Sequence, residues 1–133
     1  MIDQGWPHTS NGMAHSTQFG HYTKIGNRVH INLRVITTGF GDCGTGSAGM
    51  AIRGLPFVCD STGNSETGIM LAYSASMSTT LAHTITGVTD ANGNAKFYIR
   101  QSQPDGSGIS SGVTRDELTA TCTMNFSGMY EVD

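Results

Sequence analysis

The clearest structural signal in this chain is the stretch Tyr22-Thr-Lys-Ile-Gly-Asn-Arg-Val-His-Ile-Asn-Leu-Arg-Val-Ile36. Between residues 28 and 35, apolar and polar residues alternate without a break. The apolar set is Val29, Ile31, Leu33 and Val35, and the polar set is Arg28, His30, Asn32 and Arg34. Because successive side chains of an extended strand point to opposite faces, this pattern predicts a strand with one face in a core and the other in water.

A turn signal, Ile25-Gly26-Asn27, comes directly before this strand. Gly and Asn tolerate positive φ, so the chain can reverse within two residues and form a hairpin. The sequence therefore predicts that residues 19–24 and residues 28–37 form a pair of antiparallel strands.

Composition limits the function classes that fit this chain. The 133 residues suit a single domain with a sizeable core, and only 13% of them are charged, against about a quarter in an ordinary globular domain. The net charge is −3 and the seven cationic residues are scattered along the sequence, which argues against nucleic-acid binding and against an anionic-membrane patch. No apolar run approaches the length of a membrane span, and the first residues do not resemble an export signal, so we expect neither membrane insertion nor a signal of the chain's own.

Further strand signals follow along the sequence. They cover residues 48–53, 69–77, 81–88, 95–100 and 119–132. The intervening stretches are rich in Gly and Ser, and roughly seven or eight short strands separated by such turns are typical of an all-β fold. We expect an antiparallel, jelly-roll-like β-sandwich over residues 18–133, preceded by an extended lead-in over residues 1–17.

Two of these segments carry more specific predictions. Residues 69–77 place Ile69, Leu71 and Tyr73 on the apolar side of a half-buried strand. Asp90-Ala-Asn92-Gly93-Asn94 predicts a hairpin with a two-residue turn of the primed kind, which needs positive φ at both central positions. The strand after it would direct Lys96, Tyr98 and Arg100 outward.

Two stretches match cofactor-binding motifs only in part. Gly44-Thr-Gly46-Ser-Ala-Gly49 matches a dinucleotide pattern, but residues 50–56 are too short and too broken to form the helix that such a site needs. Asp90-x-Asn92-x-Asn94 begins like a calcium loop, but Ala95 and Gln101 stand where such a loop has Gly and Glu. A hairpin explains it better, and we expect no cofactor.

The histidines and cysteines are isolated in sequence. His30 lies on the polar face of the clearest strand; at the threefold axis of a trimer three copies would be able to hold a metal, but a solvated or hydrogen-bonded side chain is the simpler interpretation. Cys43, Cys59 and Cys122 are odd in number and lack the spacing of a metal or redox pair. Cys122 shares the apolar parity of its strand, which predicts a buried free thiol.

Three parts of the chain resemble a known family. They are Ser16-Thr-Gln-Phe-Gly-His-Tyr-Thr-Lys-Ile-Gly-Asn-Arg-Val-His30, then Gly44-Thr-Gly-Ser-Ala-Gly49 with Ile52-Arg-Gly-Leu-Pro-Phe57, and finally Asn125-Phe-Ser-Gly-Met-Tyr-Glu-Val132. Together they look like a domain that recurs at the distal ends of bacteriophage tail fibres and related virion fibres. The resemblance runs from Trp6-Pro7 to the end of the chain, although residues 60–112 carry no matching motif.

The resemblance implies a β-rich homotrimeric knob at the tip of a phage tail fibre, located in the virion and in contact with a host cell-surface glycan or outer-membrane protein. Residues 1–17 would then adjoin a fibre shaft or another virion protein. The shared residues look structural, and the resemblance implies no catalytic residue.

Binding surfaces are usually built from loops held by a rigid scaffold, and threefold repetition strengthens a weak contact. The long Gly/Ser loops and the exposed strand beside them therefore supply the candidate receptor-binding residues, with solvated turns as the alternative interpretation for each. These candidates are Phe40, Asp42, Tyr98, Arg100, Gln103 and Asp105.

The function expected from sequence is thus non-enzymatic attachment to a host receptor during adsorption. One rival is a head fibre or decoration protein on the capsid. Another is a tail spike that degrades surface polysaccharide, for which the ten scattered carboxylates would have to supply a catalytic pair.

Overall fold

A computed structural model describes residues 13–40, 49–62, 67–77, 84–90, 92–102, 109–114 and 117–133. Eight strands are present in these ranges. They are β1 (Ala14–Ile25), β2 (Arg28–Gly39), β3 (Ala51–Arg53), β4 (Gly68–Ala75), β5 (Ile85–Thr89), β6 (Lys96–Ser102), β7 (Ile109–Gly112) and β8 (Thr123–Glu131).

All eight strands belong to one antiparallel sheet that curls into a half-barrel. Seven of them lie in the order β1-β2-β8-β4-β5-β6-β3, and β7 pairs with the second half of β6 beside β3. The all-β, antiparallel class predicted from sequence is confirmed. The two-sheet jelly roll is not confirmed, because the described strands are hydrogen-bonded into a single sheet. No helix long and apolar enough to cross a membrane occurs in the described part of the chain.

The hairpin of β1 and β2 is the longest pairing in the sheet. Ile25 pairs with Arg28 across a two-residue turn in which Gly26 takes a φ of 60°. The predicted hairpin is therefore confirmed. Both strands are twelve residues long, so β1 begins at Ala14 rather than at Phe19.

The core lies on the inner, concave side of the half-barrel. The apolar set of β2 is buried, and β8 adds the matching parity expected from its sequence. The buried apolar residues of these two strands are Val29, Ile31, Leu33, Val35, Met124, Phe126 and Tyr130. From the other half of the sheet, Phe97 meets Phe126 edge to face with ring centroids 5.1 Å apart. This contact joins the two halves of the curled sheet through their largest side chains.

Two glycines on the inner side explain how tightly the sheet curls. Gly87 and Gly128 pair with Ile69 from opposite sides. A Cβ on Gly128 would lie 3.0 Å from the Ile69 Cα, and one on Gly87 would lie 2.6 Å from a ring carbon of Phe97. Any larger residue at either position would push neighbouring strands or rings apart.

The segment after β3 crosses the inner side of the sheet from β6 to β8. Leu55 donates its backbone N–H to Ala95, and the backbone of Asp60 donates to Glu131. Between them, the Tyr130 hydroxyl donates to the Phe57 carbonyl at 3.2 Å and accepts from the Phe57 N–H at 3.3 Å. Burial raises the pKa of Tyr130 well above its ordinary value, so this hydroxyl stays protonated. The Gly-Leu-Pro-Phe motif thus covers the core.

The connection between β5 and β6 is a hairpin, but the predicted two-residue turn is wrong. The last pair of the two strands is Thr89 with Phe97, so the loop is longer than two residues. Of the predicted turn residues Asn92 and Gly93, only Gly93, with a φ of 67°, is in the left-handed region. Asp90 organises the longer loop instead. Its carboxylate accepts from the backbone and side chain of Asn92 at 3.1 and 2.8 Å, and from the Asn94 amide at 2.9 Å.

Burial alone would favour the neutral form of Asp90, but these hydrogen bonds and a 2.9 Å ion pair with Lys96 outweigh it. Together they lower the pKa of Asp90 to about 2. The carboxylate is therefore ionised at neutral pH although the residue is almost fully buried.

The predicted buried free thiol is confirmed. Cys122 is reduced and buried, and its backbone N–H donates to the Thr37 hydroxyl at 2.8 Å. Cys59 is a second buried free thiol. Cys43 lies outside the described residues.

The parity predicted for β4 holds only for its first half. Ile69 is buried, but a β-bulge between Leu71 and Tyr73 shifts the register by one residue. Tyr73 consequently pairs with Asn125 and is 54% exposed, rather than joining the apolar side.

Candidate functional site

The outer face of the sheet is the side opposite the core, and it combines exposed apolar rings with polar groups. Four neighbouring strands, β1, β2, β8 and β4, supply the half of this face that includes the β1 edge. The large apolar side chains exposed on it are Phe19, Ile25, Met70 and Tyr73. Between them stand the polar set of β2 and the outward side chains of β8. The outer face is therefore an exposed surface whose side chains are held in place by paired strands.

Four of these side chains form one straight row across the sheet. Phe19 on β1 pairs with Arg34 on β2, Arg34 pairs with Asn125 on β8, and Asn125 pairs with Tyr73 on β4. Neighbouring strands lie about 4.8 Å apart, so the backbones that carry the two rings are roughly 14 Å apart, with Arg34 and Asn125 on the two strands between them. Phe19 is 53% exposed and Tyr73 is 54% exposed. We call these four residues the Arg34 row.

Arg34 lies at the centre of the row with its donors available. Within the described ranges it has no ion-pair partner, whereas Arg28 on the same strand pairs with Glu131 at 3.3 Å. The Phe19 ring is held in place from the side by His21, edge to face at 4.5 Å between centroids. The row therefore presents a fixed ring beside an uncommitted guanidinium.

Asn125 is the polar group between Arg34 and Tyr73. Its side-chain oxygen is enclosed by neighbouring atoms and accepts no hydrogen bond from any described residue. An enclosed acceptor without a donor is costly and uncommon in folded proteins. A small movement that brings a donor into the row would relieve it.

A second group on the outer face surrounds Tyr98 on β6. The Lys96 ammonium lies 4.8 Å from the centroid of the Tyr98 ring, and the Arg100 guanidinium lies 5.6 Å from it. Both distances are within the range of a cation–π contact. Arg53 on β3 pairs with Lys96 from the neighbouring strand and adds a third cation.

Charge is distributed unevenly between the two sides of the sheet. Of the six Lys and Arg residues that the structure describes, five are on the outer face, namely Arg28, Arg34, Arg53, Lys96 and Arg100. Glu131 lies on this face and is paired with Arg28, and the buried Asp90 is paired with Lys96. Among the described residues, the outer face therefore carries more cationic than acidic side chains.

The structure places half of the predicted receptor-binding residues. Tyr98 and Arg100 lie together on the outer face of β6, as the sequence predicts for their strand. Phe40 follows the end of β2 and is partly buried. Asp42, Gln103 and Asp105 lie outside the described residues. The described members therefore do not form one cluster, because β2 and β6 are separated by β8, β4 and β5.

His30 is exposed on the outer face of β2, where the alternation predicted it. In the part of the chain that is described, no group of three or more His, Cys, Asp or Glu residues is arranged to hold a metal ion. A site shared by three copies of His30 stays a hypothesis.

Sequence reasoning missed the Arg34 row as a unit. Phe19 has the parity of His21 and Thr23, so an aromatic residue on the polar side of an alternating strand was the available signal. Asn125 and Tyr73 carry no such signal, because their alignment depends on pairing between distant strands and on a bulge.

Comparison of the chain with protein-family models, with curated proteins and with solved structures returned no match.

Proposed function

We propose that this chain is the distal domain of a bacteriophage tail fibre and binds a host cell-surface receptor during adsorption, without catalysing a reaction. The residue patterns shared with such domains motivate the proposal. In this role the half-barrel belongs to a jelly-roll-like knob at the fibre tip, and three copies act together.

One observation carries the proposal: a rigid sheet presents exposed rings, amides and guanidinium groups on a single face. Recognition surfaces need side chains that keep their positions, since ordering them on binding costs free energy. Here the backbone of four adjacent strands fixes the Arg34 row. The inner face is filled with apolar side chains and leaves the outer face for recognition.

The edge of the sheet supports assembly into a trimer. β1 is twelve residues long and pairs only with β2 among the strands that the structure describes. A long strand with one unpaired side is a common place for another chain to add. Three copies about one axis would also multiply a weak receptor contact.

The test combines assembly with adhesion. The purified chain is analysed by sedimentation equilibrium, and its binding to a panel of intact bacteria is measured with fluorescently labelled protein. We expect the mass of three chains and saturable binding to at least one strain. A monomer that adheres to no strain would overturn both the assembly and the role.

Two further readouts separate the rival functions. Binding to empty capsids instead of bacteria would assign the chain to the capsid, as a head fibre or decoration protein. Release of soluble sugar from the bacterial surface, abolished by replacing one carboxylate, would make it a polysaccharide-degrading spike.

A further inference from the structure

We propose that the Arg34 row is a binding site for an acidic polysaccharide, with a ring-borne carboxylate seated on Arg34 between Phe19 and Tyr73. This inference rests on the proposed function and specifies the receptor that the outer face would recognise. It identifies the receptor as a sugar acid, not a neutral sugar or a protein.

The guanidinium of Arg34 is the group that would hold the carboxylate. A guanidinium presents its donors as a planar fork that matches the two oxygens of a carboxylate. Arg34 has this fork available, because no described carboxylate pairs with it. The neighbouring cation on the same strand, Arg28, is already occupied by Glu131 at 3.3 Å. Arg53 also lacks a described carboxylate partner, but Arg34 is the one that stands in a row with two exposed rings, Phe19 and Tyr73, which makes it the candidate anion site.

Aromatic rings stand on both sides of Arg34 along the row. Phe19 and Tyr73 are each more than half exposed and lie one and two strands from Arg34. Flat apolar faces at such distances can stack on the sugar rings adjacent to a seated carboxylate. A charged polymer without rings would leave both aromatic side chains unused. The rings therefore favour a carboxylate borne on a sugar over a phosphate in a linear polymer.

Polar side chains next to Arg34 are suited to the hydroxyl groups of a sugar. Asn125 has an enclosed side-chain oxygen without a donor, directly beside Arg34. The adjacent row of the outer face supplies Asn32 and Ser127, which pair with each other across β2 and β8. Sugars carry hydroxyl groups that both donate and accept, so a bound saccharide would be able to hydrogen-bond with Asn32 and Ser127. Asn125 would join them only after its side chain turns outward, because its oxygen is enclosed in the unbound protein.

The charged side chains around Arg34 also favour an acidic ligand. Arg34 and Arg53 stand on the outer face without a described carboxylate partner, whereas Glu131 offsets the charge of Arg28 and the buried Asp90 offsets that of Lys96. A positive face on a chain whose net charge is −3 attracts a polyanion in one orientation. Charge complementarity thus selects an acidic partner over a neutral one.

A second copy of the chain is the competing occupant of this face. Met70 and Tyr73 are exposed on β4, but Arg34 and Asn125 separate them from Phe19, and Ile25 lies at the turn. Interfaces between permanent partners are usually more apolar than a face on which charged and polar side chains stand between the apolar ones. Two such faces would also bring like charges together. The observations therefore favour the glycan.

The experiment measures binding by the full chain with a panel of short acidic oligosaccharides, built from galacturonic, glucuronic, mannuronic and sialic acids. The matched controls are the same oligosaccharides with methyl-esterified carboxylates, which keep the rings but lose the charge, and glycerol-phosphate oligomers, which keep a charge but lack the rings. We expect at least one acidic oligosaccharide to bind about tenfold or more tightly than its ester and than the glycerol-phosphate oligomer.

Variants then locate the site. Arg34→Gln should weaken this binding about tenfold or more, and Arg34→Lys should restore only part of it because Lys lacks the fork. Phe19→Ala and Tyr73→Ala should each weaken it about threefold to tenfold. The matched control is Arg28→Gln on the same strand and face, which should change the affinity by less than about twofold. Unfolding midpoints measured for every variant show that the fold is retained.

Several results would overturn the inference. One is that no acidic oligosaccharide binds, and another is that the esters or the glycerol-phosphate oligomers bind as tightly. A third is that Arg34→Gln binds like the parent or weakens binding no more than Arg28→Gln does. A fourth is that Arg34→Gln dissociates the assembly, which would make this face an interface between copies. If the parent protein still adheres to bacteria in any of these cases, the receptor-binding role stands and only this site fails.

Discussion

The two faces of β2 behave in opposite ways. Val29, Ile31 and Leu33 are at most 4% exposed, whereas the polar set, Arg28, His30, Asn32 and Arg34, is exposed. β8 repeats this division, with Met124 and Phe126 inward and Asn125 outward. The difference teaches that one strand can hold the fold with one parity and present a recognition surface with the other.

This division makes stability and binding separable by substitution. A change on the inner face should lower the free energy of unfolding, while a change on the outer face should lower affinity and leave stability nearly unchanged.

The largest effect is expected for Phe126→Ala. Phe126 is 1% exposed and meets Phe97 across the half-barrel, so truncation should cost about 3–5 kcal/mol of unfolding free energy. Urea unfolding followed by circular dichroism measures this loss. The matched variant on the outer face is Tyr73→Ala, which should change stability by less than about 0.5 kcal/mol. Similar losses for both variants would contradict the division of the two faces.

Gly128→Ala tests the tight curl of the inner face. The new Cβ would lie 3.0 Å from the Ile69 backbone, so strands must shift and stability should fall by about 1–3 kcal/mol. Gly68→Ala is the control, because its Cβ would meet nothing nearer than 3.9 Å. If both glycines tolerate alanine equally, close approach does not explain the curl.

Acid should weaken the hairpin that carries the outer-face residue Lys96. The folded-state pKa of Asp90 is about 2, below the ordinary value of 3.8, so the ionised carboxylate stabilises the fold. This stabilisation is complete above about pH 4 and is lost as the pH falls through about 2. Between those values the parent should lose of order 2 kcal/mol more unfolding free energy than Asp90→Asn does.

The Asp90→Asn variant serves as its own reference here, because Glu117 and Asp60, whose pKa values are also lowered, contribute equally to both proteins. Parallel pH profiles would show that Asp90 is not the acid-sensitive group. At neutral pH the variant should be less stable, since it leaves Lys96 without its ion-pair partner.

The smallest effect on the inner face is expected for Tyr130→Phe. The substitution keeps the ring but removes the hydroxyl that bonds both backbone groups of Phe57, which should cost about 1 kcal/mol. Thermal unfolding gives the change in midpoint. An unchanged midpoint would mean that the segment covering the core is held by apolar contacts alone.

The features of this fold that could be predicted from sequence are those set by residues close together in the chain. The alternation of residues 28–35 and the positive φ at Gly26 are properties of neighbouring residues, so the first hairpin and the buried parity of β8 could be predicted. Tyr98 and Arg100 were placed outward for the same reason. In each case the period of the side chains along one strand is sufficient information.

The remaining features depend on residues that are distant in sequence. β8 lies between β2 and β4, and nothing in a single strand specifies that partnership. The bulge that turns Tyr73 outward has no sequence marker, and the role of Gly87 becomes visible only beside Phe97. The Arg34 row joins four strands and therefore emerged only from the register of the whole sheet.

The most direct test of the central claim is oxidative footprinting of the chain in the presence and absence of envelopes from a strain to which it adheres. Phe, Tyr and Met side chains react with hydroxyl radicals when exposed, and Phe19, Met70 and Tyr73 are exposed on the outer face. The account predicts that envelopes protect these three side chains and leave the buried Phe126 and Tyr130 unchanged. Oxidation of Phe19, Met70 and Tyr73 that stays the same while the protein is bound would contradict it.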